Sequence, residues 1–312
     1  MQDNARKITY GAMMIALFAV LLAVSLYTPL IGNITMFFIP LPIILYRLKY
    51  DRASSLLMAA AGIMLSMLIG GILLLPFAFI HGIIGFVVGE TVRMGKTKFY
   101  IFMATGLTLL LTTIVMYVGA VLLFGFNMID ELLTIMEDSQ EQVKSMMARY
   151  GSLPDNYDEV ISSTFLAYQN TIPSIFMMSV FMLAFIILTL NLGVAKRLKF
   201  EVPKFPPFRE MKLPVITVIL YGAILLISLL MEMQPGTNLY LITGNATVIL
   251  RFLFLLQGIS FIHYYMNEMK SPKVVTVIAT IFALLLTPVT TLIGILDTGA
   301  NIRAWVKKDK SK

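Results

Sequence analysis

The sequence predicts an all-α fold: a polytopic transmembrane helical bundle of about eight to nine spans, with an extracytoplasmic amphipathic helical insertion. Three observations lead there. Hydrophobic residues make up 58% of the 312-residue chain and charged residues only 13%, against about 25% charged in a soluble domain. The apolar residues gather in runs close to the roughly 20 residues a helix needs to cross the hydrocarbon core. The basic residues collect in alternate gaps between those runs, which is the pattern that orients a membrane protein.

Taken in order, the runs are 8–28, 34–46, 53–75, 77–92, 99–125, 170–195, 213–232, 244–266 and 273–294. Arg6 and Lys7 precede the first run, and Ala23-Val24-Ser25 loosely resembles a signal-peptide cleavage site; the many spans that follow make the first run a retained helix. The second run is short and holds Pro40 and Pro42, and the fourth follows Pro76 and contains Gly82, Gly85 and Gly89. Broken helices survive at membrane depth only where protein or a wet cavity covers their backbone, so these two are expected inside the bundle. Arg47, Lys49 and Arg52, then Arg93, Lys96 and Lys98, then the basic linker after the sixth run, then Lys270 and Lys273 all fall on the side of Arg6 and Lys7. That side is cytoplasmic by the positive-inside rule.

The segment 127–169 carries eight acidic and two basic residues and is expected on the opposite side. Asn127 with Asp130 three residues on reads as a helix cap. Leu132, Met136, Val143 and Met147 recur at helical spacing, Gly151 and Pro154 end that helix, and Asn156 with Glu159 starts a second. The expectation is two helices, about 128–150 and 156–168, with the apolar face resting on protein or lipid. They form an interfacial hairpin or a lid and docking face. The linker 196–212, with Pro203, Pro206 and Pro207, divides a six-helix bundle over 1–195 from C-terminal helices and a basic tail over 213–312. Nine full crossings would leave that tail outside. Either residues 273–302 form a re-entrant hairpin or two short crossings, broken near Pro288 or Gly294, or the positive-inside rule fails at this end.

Few residues can carry chemistry. There is no cysteine, so disulfides and thiolate sites are excluded, and the two histidines show no metal-ligand spacing. No nucleotide-binding or hydrolase motif is present, so no catalytic residue, cofactor or nucleic-acid partner is assigned. Ionisable groups inside spans are costly and default to functional candidates. His81, Glu232 and Arg251 lie near the outer ends of their runs and form a candidate substrate-binding set; equally, Glu232 and Arg251 form a structural pair and His81 a packing residue. Glu90 and Arg93 stand one turn apart with Arg47 in reach and read as an interfacial anchor. Asp297 and Arg303 are a candidate structural pair. Ala12, Ala16, Ala19 and Ala23 give small-residue repeats on the first helix, the kind of stripe that lets membrane helices approach closely.

A set of motifs carries a resemblance. The Arg-Lys start runs into an Ala-rich first helix from Arg6 to Ala23. Then come Pro40-Leu41-Pro42, Tyr46-Arg47-Leu48-Lys49, Gly85-Phe86-Val87-Val88-Gly89-Glu90, and Gly294-Ile295-Leu296-Asp297 before Asn301-Ile302-Arg303. Across most of its length the chain resembles the YybS-type family of uncharacterised bacterial membrane proteins. More distantly, the first six spans resemble the substrate-binding subunits of energy-coupling-factor transporters. That likeness implies a non-catalytic subunit of a bacterial cytoplasmic membrane that binds a small molecule on its outer side. It also implies that Ala12 and Ala16 contact another membrane subunit. The longer acidic insertion and the spans after 212 depart from that pattern. The alternative is a membrane scaffold or regulatory partner with no transport activity.

Overall fold

A computed structural model of the chain describes residues 2–151, 154, 156–204, 206–231, 234 and 236–308. The described residues are helical, joined by short turns, and contain no strand. The helices are α1 (Gln2–Tyr27), α2 (Pro29–Thr35), α3 (Leu41–Lys49), α4 (Arg52–Arg93), α5 (Lys98–Phe124) and α6 (Met128–Arg149). They continue with α7 (Tyr157–Arg197), α8 (Ile216–Leu230), α9 (Asn238–Glu268), α10 (Lys273–Leu285), α11 (Thr287–Ala300) and α12 (Arg303–Lys308). Among the described residues seven helical stretches are long and apolar enough to cross a membrane, and eight if the bent pair α10–α11 counts as one. The expected run 213–232 yields only the 15 residues of α8, about 22 Å of helix against roughly 30 Å of hydrocarbon.

The chain divides into two compact units, Met1–Ser139 with Met177–Lys204, and Gln140–Phe176 with Phe205–Lys312. The boundary near residue 204 falls within the Pro-rich linker. Part of the insertion groups with the second unit and not with the N-terminal spans.

In the first unit the core is built from Phe18 and Leu22 of α1, Ile43 and Ile44 of α3, Ile84 of α4, Ile101 of α5 and Leu188 of α7, all fully buried. The run 34–46 is broken as expected: α2, a 3-10 turn over Met36–Phe38, and α3 replace a continuous helix. The stretches Pro29–Lys49 and Leu74–Arg93 are the most buried of the spans, 44% and 50% against 6% to 33% for the others. Glycine makes this packing possible. A Cβ on Gly85 would lie 2.8 Å from the Pro40 carbonyl oxygen, and one on Gly89 2.7 Å from Arg47 Cβ, so α3 rests almost on the α4 backbone.

The break inside α4 is not at Pro76. It falls at Gly70–Gly71, where Gly71 takes φ 63° and ψ −158°, a conformation that L side chains rarely adopt. Pro76 is then accommodated close to the start of the second half of the helix. Asp51 caps α4 by accepting the Ser54 amide at 3.1 Å and pairs with Lys7. The Lys7 ammonium, followed by the Ser54 amide, holds its carboxyl well below the usual carboxylate range.

Asn127 caps α6 as its position predicts, its Oδ1 accepting from the Ile129 amide at 3.1 Å. The second helix of the insertion is not separate: it runs without interruption into the sixth span, giving the 41 residues of α7. No residue of α6 is fully buried, and Leu132 and Val143 on its apolar face are about half exposed.

In the second unit α9 is the central element. Gly258 faces the Thr290 carbonyl and Gly294 the Phe254 carbonyl so closely that a Cβ at either glycine would overlap the oxygen. α9 and α11 therefore meet backbone to backbone. α10 and α11 are bent by 104° at Leu286, just before Pro288. The carbonyls freed there are taken by hydroxyls: Thr287 donates to Leu284 O at 2.6 Å and Thr290 to Ala283 O at 2.7 Å. This is how a broken helix survives away from water.

Candidate functional site

His81 belongs to the first unit and Arg251 to the second, and Glu232 lies outside the described residues. His81 is buried, its Nδ1–H donating to the Phe77 carbonyl at 2.8 Å and its ring 4.3 Å from the Phe77 ring. Those contacts are those of a packing residue. Arg251 is exposed, with Nε donating to the Tyr221 hydroxyl at 3.1 Å. Because α9 begins at Asn238, Arg251 lies about 20 Å along it, deeper than the run 244–266 implied. Ala12 and Ala16 are exposed on α1, while Met14, Phe18 and Leu22 on the same helix are buried. Ala12 and Ala16 thus point away from the core, whereas Ala19 and Ala23 are half-buried.

Asp297 and Arg303 do meet, Nε to Oδ2 at 2.8 Å, both buried. They anchor a larger polar cluster. Gln257 donates its amide to Asp297 Oδ2, and accepts from the Leu213 amide at 3.0 Å. Arg303 donates to the carbonyls of Arg209 at 2.7 Å and Met211 at 3.0 Å and to Ser260 Oγ at 3.1 Å. Its guanidinium lies 5.2 Å from the Tyr264 ring centroid. Gln257, Ser260 and Tyr264 share one face of α9, and that spacing, polar residues three and four apart in an apolar run, was the available signal for this cluster. The cluster fastens the end of the linker to α9 and α11.

A second amide does similar work. Pro173 lies inside α7, and next to it the Asn170 carbonyl and the Ser174 amide bond outside the helix. Asn245 of α9 takes both: Nδ2 donates to Asn170 O at 2.8 Å and Oδ1 accepts from Ser174 N at 2.8 Å.

In the first unit Glu90 pairs with Arg47, Nε to Oε2 at 2.6 Å, and more loosely with Arg52 at 3.9 Å. Arg93, expected to pair with Glu90, instead donates to the carbonyls of Arg47 and Tyr50, which closes the open C-terminal end of α3. Beside this cluster lies a cavity of about 680 Å³. Its charged lining is Arg93, Lys96 and Lys196 with the single carboxylate Glu201, and its apolar wall is Leu48, Val92, Phe200 and Val202. Lys96 Nζ stands 5.3 Å over the Tyr100 ring. Sequence reading treated these lysines only as orientation signals, because what unites them is the return of the α7 end and the linker to the end of α4. Among the described residues no group of three or more histidines, cysteines or carboxylates is placed to hold a metal ion.

Comparison with known proteins places the chain among predicted membrane proteins. The chain is 28% identical over 309 residues to the uncharacterized protein YybS of Bacillus subtilis (strain 168), covering 97% of this chain and 99% of that one. No solved structure matches. The family model for a predicted membrane protein, DUF2232, matches residues 16–298, and the chain belongs to that family of multi-pass membrane proteins.

Proposed function

We propose that the protein is a non-catalytic, transport-related subunit of a bacterial cytoplasmic membrane, with its N-terminus in the cytoplasm, that docks a second membrane subunit through α1. The observation that supports this reading is the exposure of Ala12 and Ala16 opposite the buried Met14, Phe18 and Leu22. Small residues on an uncovered face let a second helix approach closely, and the likeness to transporter substrate-binding subunits implies the same two positions. The alternative is a scaffold or regulator without transport. It is favoured by one observation: His81 and the Asp297–Arg303 pair are engaged within the protein.

Tagged full-length protein and its Ala12→Leu/Ala16→Leu variant, purified from native membranes in mild detergent, test the proposal. The variant is expected to keep its melting temperature and lose a membrane partner that the wild type retains. Equal recovery from both, or no partner from either, overturns it. ATPase activity in the recovered complex favours the transport reading over the scaffold.

A further inference from the structure

The cavity at the ends of α4 and α7 is amphipathic in a specific way. Its cations Arg93, Lys96 and Lys196 outnumber its carboxylate, Glu201. Neither Lys96 nor Lys196 has a carboxylate partner within ion-pair distance among the described residues. The opposite wall is continuous with the protein core, since Leu48, Phe200 and Val202 pack against the buried cluster of α1, α3 and α4. The depth is also marked. At this end of the unit Tyr46 and Tyr50 lie 4.9 Å apart, ring to ring, and Lys49 Nζ stands 4.4 Å over the Tyr10 ring. Tyrosines bracketed by lysines in this way sit at the boundary between hydrocarbon and headgroups.

We propose that this cavity binds the phosphate-bearing headgroup of an anionic phospholipid from the leaflet that faces the basic loops. A phosphodiester supplies the negative charge that Lys96 and Lys196 lack, and the glycerol and upper acyl carbons lie along the apolar wall. Basic pockets between membrane helices select anionic headgroups in this manner. A volume of about 680 Å³ is within the range of small-ligand sites. A soluble phosphate compound shares the charge but has no use for the apolar wall, which is why the lipid is the occupant.

The test is native mass spectrometry of the full chain released from an uncharged detergent. The probes are phosphatidylglycerol, phosphatidylcholine with the same acyl chains, and inorganic phosphate. Wild type is expected to retain phosphatidylglycerol in preference to phosphatidylcholine. Lys96→Gln/Lys196→Gln should weaken that retention about thirtyfold, and Glu201→Gln should strengthen it about fivefold, the effects of two charges and of one near the membrane surface. Lys270→Gln/Lys273→Gln, outside the cavity, should change nothing. Equal retention of the two lipids, an equal loss in the control pair, or displacement of phosphatidylglycerol by inorganic phosphate overturns the proposal. If the double variant fails to fold, Glu201→Gln decides, and unchanged retention there overturns it as well.

Discussion

Arg303 is the residue on which most of the second unit's buried polarity converges. It neutralises Asp297, satisfies two linker carbonyls and touches Ser260. A buried pair of this kind is weak evidence for stability as a pair, because desolvating both ions offsets their attraction. Breaking it is another matter. Arg303→Leu leaves a carboxylate with no accessible surface facing only the Gln257 amide, and should cost about 3 to 5 kcal/mol. Asp297→Leu added to it removes the stranded charge and should recover part of that loss. Recovery stays incomplete because the carbonyl of Arg209 remains open and Gln257 loses its acceptor. Thermal unfolding in detergent reads both; an Arg303→Leu variant as stable as wild type would show that the pair does not hold the linker. Arg251, the arginine of α9, differs in kind: it is exposed and hydrogen-bonded to a phenol.

Between helices, the recurring device is a polar side chain repairing a broken backbone. Threonine hydroxyls close the bend before Pro288, Asn245 bridges the gap at Pro173, and Asn191 of α7 donates to the carbonyl of Phe37 in the 3-10 turn at 2.7 Å. Each is a consequence of taking irregular backbone out of water. The Asn245 bridge makes a specific expectation. Asn245→Leu strands a donor and an acceptor and should destabilise by about 1 to 3 kcal/mol. Pro173→Ala, which removes the ring's clash with the preceding turn and lets the Ser174 amide return to the Asn170 carbonyl, should largely rescue it. A double variant no more stable than Asn245→Leu alone, in the same melting assay, would refute the bridge. These elements were half legible. Prolines and glycines announced breaks in the second and last runs and around the fourth, which is itself continuous within Leu74–Arg93. They did not say where: Gly71 and not Pro76 bends α4, because a positive φ needs glycine while proline is tolerated near a helix start. The second helix of the insertion and the sixth span form one helix, Tyr157–Arg197, with Pro173 inside it.

For the molecule as a whole, topology is the open quantity, and the second unit bears on it. α10 starts where α9 ends, and after the 104° bend the chain returns so that Arg303 reaches Ser260 and Tyr264. Ser260 is about 12 Å of helix from the end of α9. A re-entrant pair explains that geometry and leaves the basic tail on the side of Lys270. Reporter fusions at Lys96, Lys204 and Lys312 should therefore read cytoplasmic and one at Asp138 extracytoplasmic. A cytoplasmic signal at Asp138 reverses the orientation, and an external one at Lys312 makes α10–α11 a crossing. Composition and periodicity by themselves determined the membrane class, the helical fold and most of the spans, because partition into lipid is decided segment by segment from local apolarity. Only the tertiary structure decided which polar groups meet. Gln257 with Asp297, Asn245 with Pro173's neighbours, and Lys96 with Lys196 are brought together by chain segments far apart in sequence, and pairing across such distances leaves no local pattern to read.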